Sequence, residues 1–90
     1  MATLSDRDFD KISVCVYAYV SHMFSQMCNE KYRGPKFKWE EFPEMMADSL
    51  AIQVVISYNV PKYKKKKYEE QARRDARIVA KTLVENAGFE

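Results

Sequence analysis

Few side chains in this sequence are equipped for chemistry: one histidine, His22, two cysteines, Cys15 and Cys28, and three closely spaced glutamates, Glu40, Glu41 and Glu44. A general base works on a nucleophile or substrate proton held within hydrogen-bond reach. His22 stands among Ser21, Met23 and Phe24 in a stretch with helical periodicity, which suits a packing or boundary residue better than a base. Reactive thiolates occur at helix N-termini or beside cations, whereas Cys28 falls near the end of that same stretch. Structural zinc takes four ligands, more than His22, Cys15 and Cys28 supply at these spacings. The three glutamates precede an apolar run, where negative charge favours a helix start without any catalytic role. The two glycines, Gly34 and Gly88, lie too far apart to form a phosphate-cradling loop. These residues predict a protein that is not an enzyme and holds no metal or cofactor.

One motif could do a different kind of chemistry, the run "PKYKKKKYEEQARRDA" over 61–76. Residues 60–90 carry nine Lys or Arg against five Asp or Glu, while 1–59 carry six against eight, so the net charge of +2 is concentrated at one end. Lys62, Lys64, Lys65, Lys66, Lys67, Arg73, Arg74 and Arg77 could form a basic ridge, with Tyr63 and Tyr68 beside it for stacking. Such a ridge is what binding along a nucleic-acid backbone requires. Two features weigh against it. Glu69–Arg73 and Glu70–Arg74 have the i,i+4 spacing of helical ion pairs, which would neutralise part of the ridge. The pI of about 8.5 is also modest for a dedicated nucleic-acid domain. Nucleic acid is therefore the alternative partner and a solvated or protein-contacting face the favoured reading.

The elements that carry these residues read as helices. Ser5 is placed to cap a first helix and accept from the N–H of Asp8, Asp6, Asp8 and Asp10 favour its positive end, and Leu4 and Phe9 have the spacing of a hydrophobic staple. From there Phe9, Ile12, Val16, Tyr19, Val20, Met23 and Met27 recur at helical spacing, opposite Arg7, Lys11, Ala18, Ser21 and Ser25. Gly34–Pro35 breaks the chain, and Pro43 suits the first turn of a second helix that is apolar on most sides and stops at Asn59 and Pro61. A third helix carries the stripe Tyr68, Ala72, Ala76, Val79, Ala80, Leu83, Val84 and Ala87, with Gly88 placed to end it in a left-handed conformation. The prediction is an all-α, three-helix domain over 1–90 with short connections. The alternative is α+β, because "SVCVYAYV" (13–20) and "IQVVISYNV" (52–60) are rich in β-branched and aromatic residues and could be strands.

At 47% hydrophobic and 31% charged, the 90-residue chain is globular rather than disordered. Cys15 and Cys28 stand about 20 Å apart on one helix and cannot bridge each other. No N-terminal segment has the pattern of a signal peptide, and no apolar run reaches the roughly 20 residues that span a bilayer. A reduced, cytoplasmic protein with no membrane contact is expected. Met23, Met27, Met45 and Met46, with Tyr17, Phe24, Phe37 and Trp39, exceed what so small a core encloses, and residues of these types favour interface centres. The loop "YRGPKFKWEEF" (32–42) is the expected display, with Tyr32, Phe37, Trp39 and Phe42 as its protein-binding residues. With no chemistry and much interface-type surface, the chain resembles the general run of small regulatory and inhibitory proteins, those that viruses encode among them. The expected function is to occupy a surface of a larger protein, as a homodimer.

Overall fold

The computed structural model of the chain describes residues 3–89, so that 1, 2 and 90 of the expected 1–90 domain lie outside the described residues. Among the described residues there are three α-helices and no strand: α1 (Asp6–Met27), α2 (Phe42–Ser57) and α3 (Lys65–Ala87). Two short 3-10 turns, Glu30–Tyr32 and Trp39–Glu41, lie on the α1–α2 connection. The two β-like stretches resolve as helix, 13–20 inside α1 and 52–57 inside α2, while Tyr58–Val60 form the turn that follows. The reason is cooperative. Ser5 and Asp8 close a complete capping box, and the β-branched residues Ile12, Val16 and Val20 recur every four positions, which buries them as one row.

Side-chain pairs fix how the helices run. Arg73 and Arg77 of α3 reach Asp48 and Glu44 of α2, so ascending α2 means descending α3 and the two are antiparallel. Asp8 at the start of α1 meets Lys64 and Tyr68 at the start of α3, and Phe24 near the end of α1 meets Phe89 just past the end of α3. α1 and α3 are therefore parallel. The shared core consists of Ile12, Val16 and Val20 from α1, Phe42, Met46, Ala47, Leu50 and Val54 from α2, and Tyr68, Ala72, Ala76, Ala80 and Val84 from α3. The alanine row on α3 lets α2 approach closely, and these two helices make the most extensive contact in the molecule.

Asp8 was expected only as a charge at a helix end. In the fold it is buried, 5% exposed, and tied to four groups. Its Oδ2 accepts from the Ser5 N–H at 2.8 Å, the Ser5 hydroxyl at 3.0 Å and Lys64 Nζ at 3.1 Å, while its Oδ1 accepts from the Tyr68 hydroxyl. A buried carboxylate left unpaired costs several kcal/mol, and here each oxygen has a donor. The Tyr68 hydroxyl, followed by the Ser5 N–H, holds the Asp8 carboxyl well below the usual carboxylate range. Burial and then the bond to Asp8 push the Tyr68 phenol up to about 12.

The aromatics of the α1–α2 connection close the other end. Trp39 stacks on Phe89 with centroids 4.7 Å apart, and Phe24, Phe37 and Phe42 surround it at 5.2, 5.0 and 5.4 Å. Gly88, in the left-handed region at φ 75, turns the chain so that Phe89 reaches this cluster.

The Asp8 node sets a pH dependence with a definite sign. A depressed carboxylate contributes stability that is present above its unfolded value of about 4 and is lost as pH falls through the folded value. A raised phenol contributes stability that is present below about 10 and is lost as pH rises towards 12. Asp8→Ala is expected to cost about 3 kcal/mol at pH 7 in urea denaturation, and the gap between parent and variant is expected to close below about pH 4. Tyr68→Phe is expected to remove the alkaline loss of stability between about pH 10 and 12. A parent–Asp8→Ala difference that persists unchanged at pH 2 would contradict this assignment.

Candidate protein-interaction surface

The loop aromatics do not form the expected display. Phe42 is fully buried and belongs to the core, Phe37 and Trp39 are half-buried against it, and only Tyr32, 61% exposed, stands outward. Aromatic and charged residues alternate along this connection, but Phe42, which ends the alternation, begins α2 and faces inward. Of the apolar excess, Met46 is buried, Met23, Met27 and Phe24 pack against the core, and Tyr17 and Met45 remain outside.

The basic ridge is divided. Lys64 turns inward to Asp8, Arg73 donates to Asp48 at 2.5 Å and Arg77 to Glu44 at 2.7 Å, so three of its eight cations are already paired. The acid that neutralises Arg73 is Asp48 of α2 rather than the expected Glu69, Arg77 is held by Glu44 of α2, and the expected Glu70–Arg74 pair does not form among the described residues. Tyr68 is 3% exposed and offers no face for stacking. Lys62, Lys65, Lys66, Lys67 and Arg74 are exposed and make no ion pair among the described residues, and Tyr63 beside them is 70% exposed.

The surface that gathers exposed apolar groups lies elsewhere, along the outer side of α1. Val14 and Tyr17 are about two-thirds exposed there, and Ile78 of α3 is equally so. Three shallow depressions adjoin. One lies between α1 and α3, lined by Ser13, Val16, Tyr17, Asp75, Ile78 and Val79. The next lies on α1 itself, lined by Ser13, Val14, Tyr17 and Ala18. The third lies between α1 and α2, where Val14 and Ala18 meet Cys15, Tyr19, His22, Gln53, Ser57 and Tyr58. Ser13 and Tyr17 belong to the first two and Val14 and Ala18 to the last two, so the three adjoin in one shallow apolar furrow over the outer side of α1. Asp75, which accepts from Gln71 at 2.9 Å, is the one Asp, Glu, Lys or Arg in this lining.

Charged residues are depleted and aromatics enriched in the centres of protein interfaces, and the furrow has that make-up. The sequence carried its signal in the alternation of "SVCVYAYV": the valines and tyrosines that resembled a strand split between the core side and the outer side of α1. His22 lines the furrow on an exposed part of α1. Cys15 is half-buried with its thiol pushed up by burial, and Cys28 is exposed; both thiols are free. Among the described residues no three His, Cys, Asp or Glu side chains group closely enough to hold a metal ion, and no helix is long and apolar enough to cross a membrane. The chain matches no protein-family model, and no curated protein or solved structure matches it.

Phe42→Ala is expected to destabilise the fold by about 3–5 kcal/mol while Tyr32→Ala changes it by under about 0.5, as read by thermal or urea denaturation. The first turn of α3 has no acidic residue and its Lys64 cap makes no side-chain cap bond. Replacing Lys65, Lys66 and Lys67 together by glutamate is expected to stabilise the fold by roughly 1 kcal/mol through the helix dipole. Lys64→Glu alone is expected to destabilise it by about 1.5–3 kcal/mol, since it removes a charge-assisted bond and sets a carboxylate against Asp8.

Proposed function

We propose that this protein is a non-enzymatic regulatory module that occupies a surface of a larger protein through the furrow centred on α1. The observation that carries the reading is the continuity of that furrow. It is apolar, nearly free of charge and spans all three helices, and its principal side chains, Val14, Tyr17 and Ile78, remain exposed although the fold has a complete core without them. Exposed apolar surface that is contiguous, rather than scattered, marks interaction sites. Tyr17 is suited to the centre of such a contact, being a large amphipathic side chain with few rotatable bonds. The two free thiols suit the reducing conditions of the cytoplasm.

A second reading, nucleic-acid binding, is supported by the exposed cations Lys62, Lys65, Lys66, Lys67 and Arg74 beside Tyr63. Four or five phosphate contacts would give a slope of log K against log salt of about −4 on duplex DNA. The pairing of Lys64, Arg73 and Arg77 within the fold leaves this ridge the weaker basis.

The test is affinity capture from native cells with the parent and two variants, Val14→Asp with Tyr17→Asp, and Lys65→Glu with Lys66→Glu and Lys67→Glu. The expected result is a stoichiometric protein that the parent and the lysine variant recover and the furrow variant does not, with all three chains equally helical by circular dichroism. Its binding is also expected to slow alkylation of Cys15, which lines the furrow, and to leave Cys28 unprotected. Capture that survives the furrow variant would overturn the reading. Recovery of nucleic acid by the parent, lost in the lysine variant, would move the assignment to the second one.

A further inference from the structure

A hollow of about 320 Å³ lies where α1 and α3 start, between the chain leading into α1 and the outer side of α3. Its size falls at the lower end of ligand sites, which run from about 300 to 1,000 Å³. Leu4 and Phe9 form its apolar wall, with Phe9 41% exposed, and Lys67, Glu70, Gln71 and Arg74 form its polar one. The spacing of these four places them together on one side of α3.

The charges of the polar wall are not used within the fold. Lys67–Glu70 and Glu70–Arg74 have the i,i+3 and i,i+4 spacings of helical ion pairs, yet neither pair forms among the described residues. By contrast, Lys64, Arg73 and Arg77 are each held by a carboxylate from another helix. Gln71 is engaged, since its amide N–H donates to Asp75 at 2.9 Å. Two cations and one carboxylate thus line the hollow without a partner among the described residues.

We propose that this hollow is a binding site for a nucleoside monophosphate. Simpler ligands leave part of the lining unanswered. An inorganic anion would satisfy Lys67 and Arg74 but cover neither Phe9 nor Leu4. A fatty or aryl carboxylate would cover those two, but its only polar group would face Glu70, carboxylate against carboxylate. A nucleoside monophosphate meets each group with a different part. Its phosphate accepts charge-assisted bonds from Lys67 and Arg74, which start about 10 Å apart along the helix and close on one anion from two sides. Its ribose hydroxyls donate to Glu70, the contact by which acidic side chains hold ribose in dinucleotide sites. Its base stacks on the exposed ring of Phe9, with Leu4 beside it. None of these residues lines the furrow on α1, so this site and the proposed function stand or fall separately.

Titration of the full chain with AMP, followed by backbone amide chemical shifts, tests this. Saturation is expected with a Kd on the order of 0.1–1 mM, the shifts centring on Phe9 and on 67–74. Arg74→Gln is expected to weaken binding about tenfold or more. Lys81→Gln removes the same charge from an exposed position outside the lining and should leave binding unchanged. Phe9→Leu, which keeps the apolar wall but removes the ring, should weaken binding by about fivefold or more. The parent is expected to prefer AMP to its 2′,3′-dideoxy form by about fivefold, and Glu70→Gln to erase that preference. None of these side chains belongs to the core, so all the variants should keep the parent's helical spectrum. Inorganic phosphate that binds the same amides as tightly as AMP overturns the proposal, as does a ribose preference that survives Glu70→Gln. A titration that does not saturate by about 5 mM overturns it too. So does a single-stranded oligonucleotide that binds more tightly than AMP and displaces it, which would make the lysine ridge, and not the hollow, the phosphate site.

Discussion

A buried carboxylate has to be answered, and the way Asp8 is answered determines how this chain is assembled. Ser5, three residues away, contributes the local half of the answer as the cap of α1. The other half comes from Lys64 and Tyr68, 56 and 60 residues further along. Since Lys64 caps α3 and Tyr68 lies in its first turn, the same carboxylate serves the starts of two helices. α3 has no acidic residue of its own in that turn, and Asp8 supplies one from α1. Any shift of α1 along its axis, or a reversal of its direction, would take this carboxylate away from Lys64 and Tyr68 and leave Oδ1 without a donor. The parallel arrangement of α1 and α3 follows.

At the opposite end the constraint is apolar. Trp39, with Phe24, Phe37, Phe42 and Phe89, draws the α1–α2 connection and the residue after α3 over the ends of the helices. α1 is thus held at both ends by contacts that do not involve its outer side. Ile12, Val16 and Val20 complete its inner side, and nothing in the packing of one chain calls on Val14, Tyr17 or Ala18. A helix can be firmly seated and still present its middle to something else. The ends of α1 are seated and its middle is open, and the exposed apolar side chains lie in that middle.

Most of the helical framework was legible in the sequence because its determinants are local. The Ser5–Asp8 cap, Pro43 at the start of α2, Gly88 at the end of α3 and the alanine stripe on α3 each act within a turn or two. The two β-like stretches stayed ambiguous for the same reason, since local propensity favours a strand there and only length and packing decide for helix. What remained illegible was long-range. No spacing rule connects Asp8 to Tyr68, or Arg73 to Asp48, so a buried node was read as a helix-end charge and a paired arginine as part of an open ridge. Phe42 was misplaced for a related reason. It ends an alternation of aromatic and charged residues that reads as surface, but the residue itself opens a helix whose inner side it joins.

Trp39 is the chain's only tryptophan, and its closest stacking partner is Phe89, the residue that Gly88 delivers from the end of α3. The indole therefore sits where three separate parts of the chain converge: the end of α1, the connection and the last turn of the fold. Its emission is an optical gauge of whether that end is closed, independent of the far end where Asp8 lies. Loosening of the aromatic cap is thus visible without any added label, apart from whatever happens at the carboxylate node.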